Sequence, residues 1–251
     1  MKKLYAFLLF ILLVSCQQKN KVRFVTIDGV QIHIQEFGKG KPTVLFENGM
    51  GSSLETWGGI PNILSKETSV FLYDRAGVGK SYPSTQKRTI PNMIKELREV
   101  LHNENIRPPY IYVAHSMGSY VARFFASEYP DEIQGILLVD PSPDLMYDGY
   151  SKREYEEFEA IGDDSFKNAS KGEWLEWKNY LPNRKYVQKK PISDAIPMII
   201  LSATQWDFYD FHEKIMNQHP KSKHLKIEGG HNLHEEKPEL IVKLVQELIK
   251  M

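Results

Sequence analysis

Five short apolar runs, at residues 43–47, 70–73, 110–114, 135–139 and 198–201, recur along the chain without the polar alternation of a strand half open to water. Strands covered on both faces read this way, and they belong to parallel sheets. Parallel neighbours must be joined by crossovers of a dozen residues or more, usually helical. The intervening sequence supplies them: residues 91–103 (Pro91 at a first helical position), 117–128 and 208–218 read as helices, and residues 238–250 as a terminal one. Ahead of these, residues 22–27 and 30–37 flank Asp28-Gly29, a dipeptide suited to a tight hairpin turn. The expectation is an α/β fold: a mostly parallel central sheet opened by an N-terminal antiparallel hairpin, with helices on both faces.

The alternation is interrupted once. Residues 141–196 separate two predicted strands, too far for a simple loop, and carry helical patches at 152–161 and 172–181. We read this segment as a cap over one end of the sheet. Its aromatic residues Tyr147, Tyr150, Tyr155, Phe158, Phe166, Trp174, Trp177 and Tyr180 either pack it onto the body or line a pocket. The N-terminus differs in kind. Lys2 and Lys3 precede an apolar run at 4–14, too short to span a bilayer but suited to a secretory signal peptide. Leu13-Val14-Ser15-Cys16 resembles the bacterial lipobox, which implies cleavage after residue 15, lipid on Cys16, a polar tether at 16–21 and export to the cell envelope with a membrane anchor. Cys16 is the single cysteine and has no internal partner for a disulfide. The folded domain is then 22–251, long enough for one sizeable core. With 32 basic and 32 acidic residues the formal charge is zero, and no basic stripe suggests a nucleic-acid partner.

Behind the run at 110–114 stands Tyr112-Val-Ala-His-Ser-Met-Gly-Ser119, which nearly spells G-x-S-x-G with Ala114 in the first glycine's place. A serine on a sharp strand-to-helix turn needs small residues two before and two after it, and Ala114 and Gly118 meet that need. Ser116 is the candidate nucleophile. His231, in Gly229-Gly-His231 near the C-terminus, is the candidate base. With His234 it also makes H-x-x-H, but a third ligand at metal spacing is missing from the sequence. Gly77-Val-Gly-Lys-Ser81 ends like a phosphate-binding loop, yet Asp74 occupies the place of that motif's first glycine, so no nucleotide is expected. Two aspartates compete for the acid. Asp140 ends one predicted strand and Asp207 follows the next; Thr204-Gln-Trp-Asp207 also reads as a capping box opening the 208–218 helix, so Asp140 is preferred and Asp207 is the alternative.

Together F-E-N-G-M-G, Y-D-R-A-G-V-G-K-S, A-H-S-M-G, L-L-V-D-P-S and G-G-H resemble the α/β-hydrolases over residues 22–251. The resemblance implies a Ser116–His231–Asp140 triad, an oxyanion hole from the backbone N–H groups of Met50 and Met117, and hydrolysis of a small-molecule carboxylic ester or related acyl bond through an acyl-enzyme. That chemistry requires neither a metal nor an organic cofactor. An aminopeptidase or a carbon–carbon bond hydrolase of the same fold is the alternative, as is a non-catalytic envelope binding protein. The chain departs from the commonest pattern at Glu47-Asn48, where many relatives carry an apolar residue and a histidine.

Overall fold

The computed structural model describes residues 22–251; the expected signal peptide, the tether and Cys16 lie outside the described residues. Eight strands form one sheet: β1 (Arg23–Ile27), β2 (Val30–Phe37), β3 (Thr43–Glu47), β4 (Ser69–Tyr73), β5 (Tyr110–His115), β6 (Ile133–Val139), β7 (Met198–Ala203) and β8 (Lys223–Ile227). Their order across the sheet is β1-β2-β4-β3-β5-β6-β7-β8. β2 runs antiparallel to β1 and β4, and every pairing from β4 to β8 is parallel. The opening hairpin turns on Asp28 (φ 48°) and Gly29 (φ 79°), two residues of positive φ as a two-residue turn of this hand demands.

The absence of alternation in the apolar runs has a direct structural cause. Along β5, Tyr110, Tyr112 and Ala114 enter one core while Ile111 and Val113 enter the other. The first core is closed by α2 (Ile90–Asn103), α3 (Gly118–Glu128) and aromatic residues of the cap, the second by α1 (Ile60–Leu64) and α8 (Pro238–Ile249). The cap comprises α4 (Lys152–Phe166) and α5 (Lys171–Gln188) and leaves the sheet between β6 and β7, which pair in register Ile136↔Met198. Both cap helices are longer than the sequence suggested. Each begins with a reciprocal capping box, Ser151 with Glu154 and Ser170 with Glu173, which satisfies backbone donors at both helix starts.

The expected 208–218 helix is a correction. The structure forms only α6 (Tyr209–Glu213), with Phe208 at its N-cap and no side-chain cap. Thr204 Oγ1 accepts the Gly229 N–H (3.2 Å) instead, and Asn217 Nδ2 donates to the carbonyls of Ser193 and Ile196, so both ends of the segment are drawn into other contacts. A four-residue α7 (Leu233–Glu236) precedes α8. No helix among the described residues is long and apolar enough to cross a membrane.

Candidate active site

The carboxyl ends of β5, β6 and β7 define the site. Ser116 follows β5 with φ 50°, and its N–H donates to Val139 O (3.1 Å) at the end of the neighbouring strand. A serine rarely adopts this left-handed conformation; here it leaves the side chain half-buried at the strand end, ahead of α3. Gly118 explains one of the small-residue requirements. A Cβ there would fall 2.5 Å from Asn48 O and 2.8 Å from Glu47 O, so α3 starts where it does only because that position has no side chain.

Asp140 follows β6 and is also left-handed, φ 41°. Its Oδ1 accepts the Ala203 N–H (2.9 Å) from β7, and its Oδ2 lies 2.6 Å from His231 Nδ1. The carboxylate is 1% exposed and the imidazole 22%. Because a carboxylate only accepts, Nδ1 carries the proton, which leaves the Nε2 lone pair free to act as a base. The backbone of His231 is held as well: its N–H donates to Gln205 Oε1 (2.7 Å) and its carbonyl accepts from His115 Nε2 (3.1 Å). Burial, reinforced by the neighbouring His234 and His231, holds His115 well below the usual imidazole range. The Trp206 ring packs 4.7 Å from His231 and remains 44% exposed. A Ser116–His231 hydrogen bond is not among those formed by the described residues; such bonds often tighten only when substrate binds.

Asp207, the alternative acid, lies elsewhere. Its side chain is 90% exposed and stands 3.6 Å from Lys226, while the N–H at the end of β7 is already taken by Asp140. His234 also separates from His231: its Nε2 lies 2.9 Å from Thr56 Oγ1 and its ring packs between Trp57 and His115. The phosphate-loop look-alike is a turn organised by Asp74, whose carboxylate accepts from the N–H groups of Leu54 (2.7 Å) and Lys80 (2.9 Å).

Of the two expected oxyanion donors, Met117 directly follows Ser116 at the head of α3, and Met50 stands in the loop after β3, next to Gly49, whose Cβ would lie 3.5 Å from Ser116 Cβ. Beneath that loop lies a buried ion cluster. Arg75 Nη1 donates to Glu47 Oε1 (2.8 Å) and Asn48 O (2.7 Å), Nη2 to Gly49 O (2.7 Å) and Glu176 Oε2 (2.9 Å), and Nε to Glu176 Oε1 (2.6 Å). All five guanidinium donors are used. The hydroxyls of Tyr73 and Tyr112 donate to Glu47 Oε2 (2.7 and 2.8 Å). Burial raises Glu47 above the ordinary carboxylate range despite Arg75, whereas at Glu176 the Arg75 charge and hydrogen bonds outweigh burial and hold it below that range. Glu47-Asn48, odd as sequence, is thus part of the ion cluster that floors the loop after β3.

Comparison with known proteins shows the family. The family model for the alpha/beta hydrolase fold matches residues 42–169. The chain belongs to the α/β-hydrolase family. Its relatives include the uncharacterised protein YqjL of Bacillus subtilis, 29% identical over 229 residues, 86% of this chain and 87% of that one. Among solved structures, the Cif epoxide hydrolase from Acinetobacter nosocomialis matches with a TM-score of 0.75 at 17% identity, covering 92% of this chain and 90% of that one. The enol-lactonase from Burkholderia xenovorans matches with a TM-score of 0.65 at 16% identity, covering 91% and 100%. At such identities the likeness is one of fold. In this α/β-hydrolase, three residues at the site carry no recognisable sequence signal. Gln205 and Trp206 sit in a stretch that reads as a helix cap, and Glu176 lies 101 residues beyond Arg75 in a helical patch with nothing to mark it.

Proposed function

We propose that this α/β-hydrolase is a serine hydrolase that cleaves a carboxylic ester or related acyl bond of a small molecule. The observation that carries the reading is the 2.6 Å contact between His231 Nδ1 and the buried Asp140, beside a serine held at φ 50°. In this reading His231 Nε2 takes the proton from Ser116 Oγ as the oxygen attacks the acyl carbon, and Asp140 stabilises the imidazolium that forms. The N–H groups of Met50 and Met117 receive the oxyanion. The imidazolium then protonates the leaving group, and a water activated by the regenerated base releases the acid.

A nucleophilic serine also decides between the activities named for the two structural matches. Attack on a lactone carbonyl gives an ester that water can cleave at the same carbon. Opening an epoxide with a serine alkoxide would give an ether with no acyl carbon to attack. Ester and lactone chemistry is therefore compatible with turnover at Ser116, and epoxide chemistry is not. Labelling with a fluorophosphonate and hydrolysis of p-nitrophenyl butyrate test the proposal. Ser116→Ala should abolish labelling and lower turnover by about 10⁴-fold or more, with the melting temperature nearly unchanged. Wild-type turnover by the pure alanine variant would reject the assignment.

A further inference from the structure

The ion cluster beneath the oxyanion loop does more than fill space, because of which atoms it holds. In a trans peptide the C=O and the N–H point in opposite directions, and among the described residues the cis bonds are only Lys41-Pro42 and Pro108-Pro109. The peptide joining Gly49 to Met50 therefore couples two groups: fixing Gly49 O on Arg75 Nη2 at 2.7 Å aims the Met50 N–H the other way. The loop runs against the nucleophile's turn at this point, since a Cβ on Gly49 would lie 2.8 Å from His115 Nδ1 and 3.5 Å from Ser116 Cβ. The next peptide is fixed from its other end. The Gly51 N–H donates to Glu176 Oε2 at 3.0 Å, which turns the Met50 carbonyl away from that carboxylate. Both peptide planes flanking Met50 are thus set by one arginine and one glutamate that bind each other.

Glu176 does not belong to the body of the sheet. It stands on α5, so one of the two restraints is delivered by the cap. The cap is seated tightly where α5 begins: Ser170 Oγ donates to Gly77 O (2.8 Å), and Gly172 packs on Gly77 so closely that a Cβ on either would approach the other's backbone within 2.7 Å. Phe166 and Glu173 cover Gly51 directly. The carboxylate is fully buried and each of its hydrogen bonds is to Arg75 or to the Gly51 N–H of the loop.

We infer that Arg75 and Glu176 are positioning residues which hold the Met50 N–H in its oxyanion-binding orientation, so that docking of the cap completes the catalytic site. Without Glu176 the Met50–Gly51 peptide is free to rotate, and a rotated loop no longer presents a fixed donor to the developing charge. This rests on the serine hydrolase reading above. The loss falls on the transition state, whose oxyanion needs the donor, more than on substrate binding.

The experiment compares two cap variants using p-nitrophenyl butyrate and phenylboronic acid, whose tetrahedral serine adduct places an oxygen where the oxyanion forms. In Glu176→Gln the amide oxygen can still accept at Oε2, but the amide nitrogen then faces the Arg75 Nε–H and the charge is gone. We expect kcat to fall about ten- to a hundredfold with KM within about threefold, and the phenylboronic acid Ki to weaken in step with kcat/KM. Asn183→Ala is the matched control. Asn183 also ties α5 to the body, through Arg88 O (2.9 Å) and the Ile90 N–H (3.1 Å), but it does not touch the oxyanion loop. It should lower the melting temperature and leave kcat within about threefold. If the glutamine variant does not accumulate, Glu176→Asp keeps the charge beside Arg75, shortens the reach to Gly51 by one methylene and should show the same selective loss of kcat. A folded Glu176 variant with wild-type kcat, equal losses in the Glu176 and Asn183 variants, or an unchanged boronate Ki would each overturn the inference. A wild-type protein that neither takes a fluorophosphonate nor turns over the ester rejects the serine hydrolase reading itself, whereas an active, Ser116-dependent wild type with an indifferent Glu176 rejects only the coupling.

Discussion

The two oxygens of the Asp140 carboxylate divide the work of the residue. Oδ1 ties down the end of β7 through Ala203, and Oδ2 fixes the tautomer of His231. Asparagine preserves the first contact but can present an N–H to Nδ1, which drives the imidazole proton onto Nε2 and removes the base. Asp140→Asn should therefore remain folded and lose on the order of 10⁴ in kcat, the scale of that substitution in serine proteases. Asp207→Asn, altering an exposed carboxylate beside Lys226, should keep kcat within about twofold, since surface ion pairs contribute little. Turnover of p-nitrophenyl butyrate by the two variants decides the matter, and the reverse pattern would move the acid to Asp207. Ser116, His231 and Asp140 are all visible in the sequence because each ends an apolar run or follows glycines. The preference for Asp140 over Asp207 is also read from the sequence, but from a capping box at residues 204–207 that the structure does not form. Which aspartate reaches His231 depends on where the loop after β7 travels, and that loop is drawn toward β8 by Thr204 and Gly229, a contact 25 residues apart.

At the level of elements, the strands are legible because burial on both faces erases alternation, and α6 is shorter than its sequence suggests because a local capping pattern carries no information about competing distant partners. The cap shows the same limit. Its capping boxes can be read as sequence, but the contact that joins its helices cannot. Gly162 of α4 lies so near the Trp177 ring of α5 that a Cβ would fall 1.9 Å from it, while the indole N–H donates to Asp163 (2.7 Å). Overpacking of this kind costs about 1–3 kcal/mol, against roughly 1 kcal/mol that alanine returns to a helix interior. Gly162→Ala should accordingly lower the urea midpoint and shift the tryptophan fluorescence of the cap. An unchanged or higher midpoint would mean that the two helices are not packed this closely.

The whole molecule responds to pH through its buried histidines. Burial holds His212 and His234 at about 4, and Asp140 beside the former and Glu235 beside the latter only partly oppose it; His115 is lowered in the same direction. In the unfolded chain these groups bind protons near pH 6.5. Acidification from about 6.5 toward 4 therefore protonates the unfolded state and not the folded one, and the stability present above 6.5 is lost as pH falls. At pH 5 the loss is about 2 kcal/mol for each of His212 and His234. Urea unfolding should give a free energy that declines below pH 6.5, and His234→Phe should reduce that slope by about one proton. An unaltered slope would show that His234 titrates normally. The place of the cap in the chain has a further consequence, for engineering. It enters and leaves through two adjacent strands, after Asp140 and before the strand that Asp140 grips, so its length and lining can be exchanged without rerouting Ser116 or His231. Recombinant chimeras that import another lid would inherit a vacancy opposite Arg75, and a successful transplant must bring its own carboxylate to that spot.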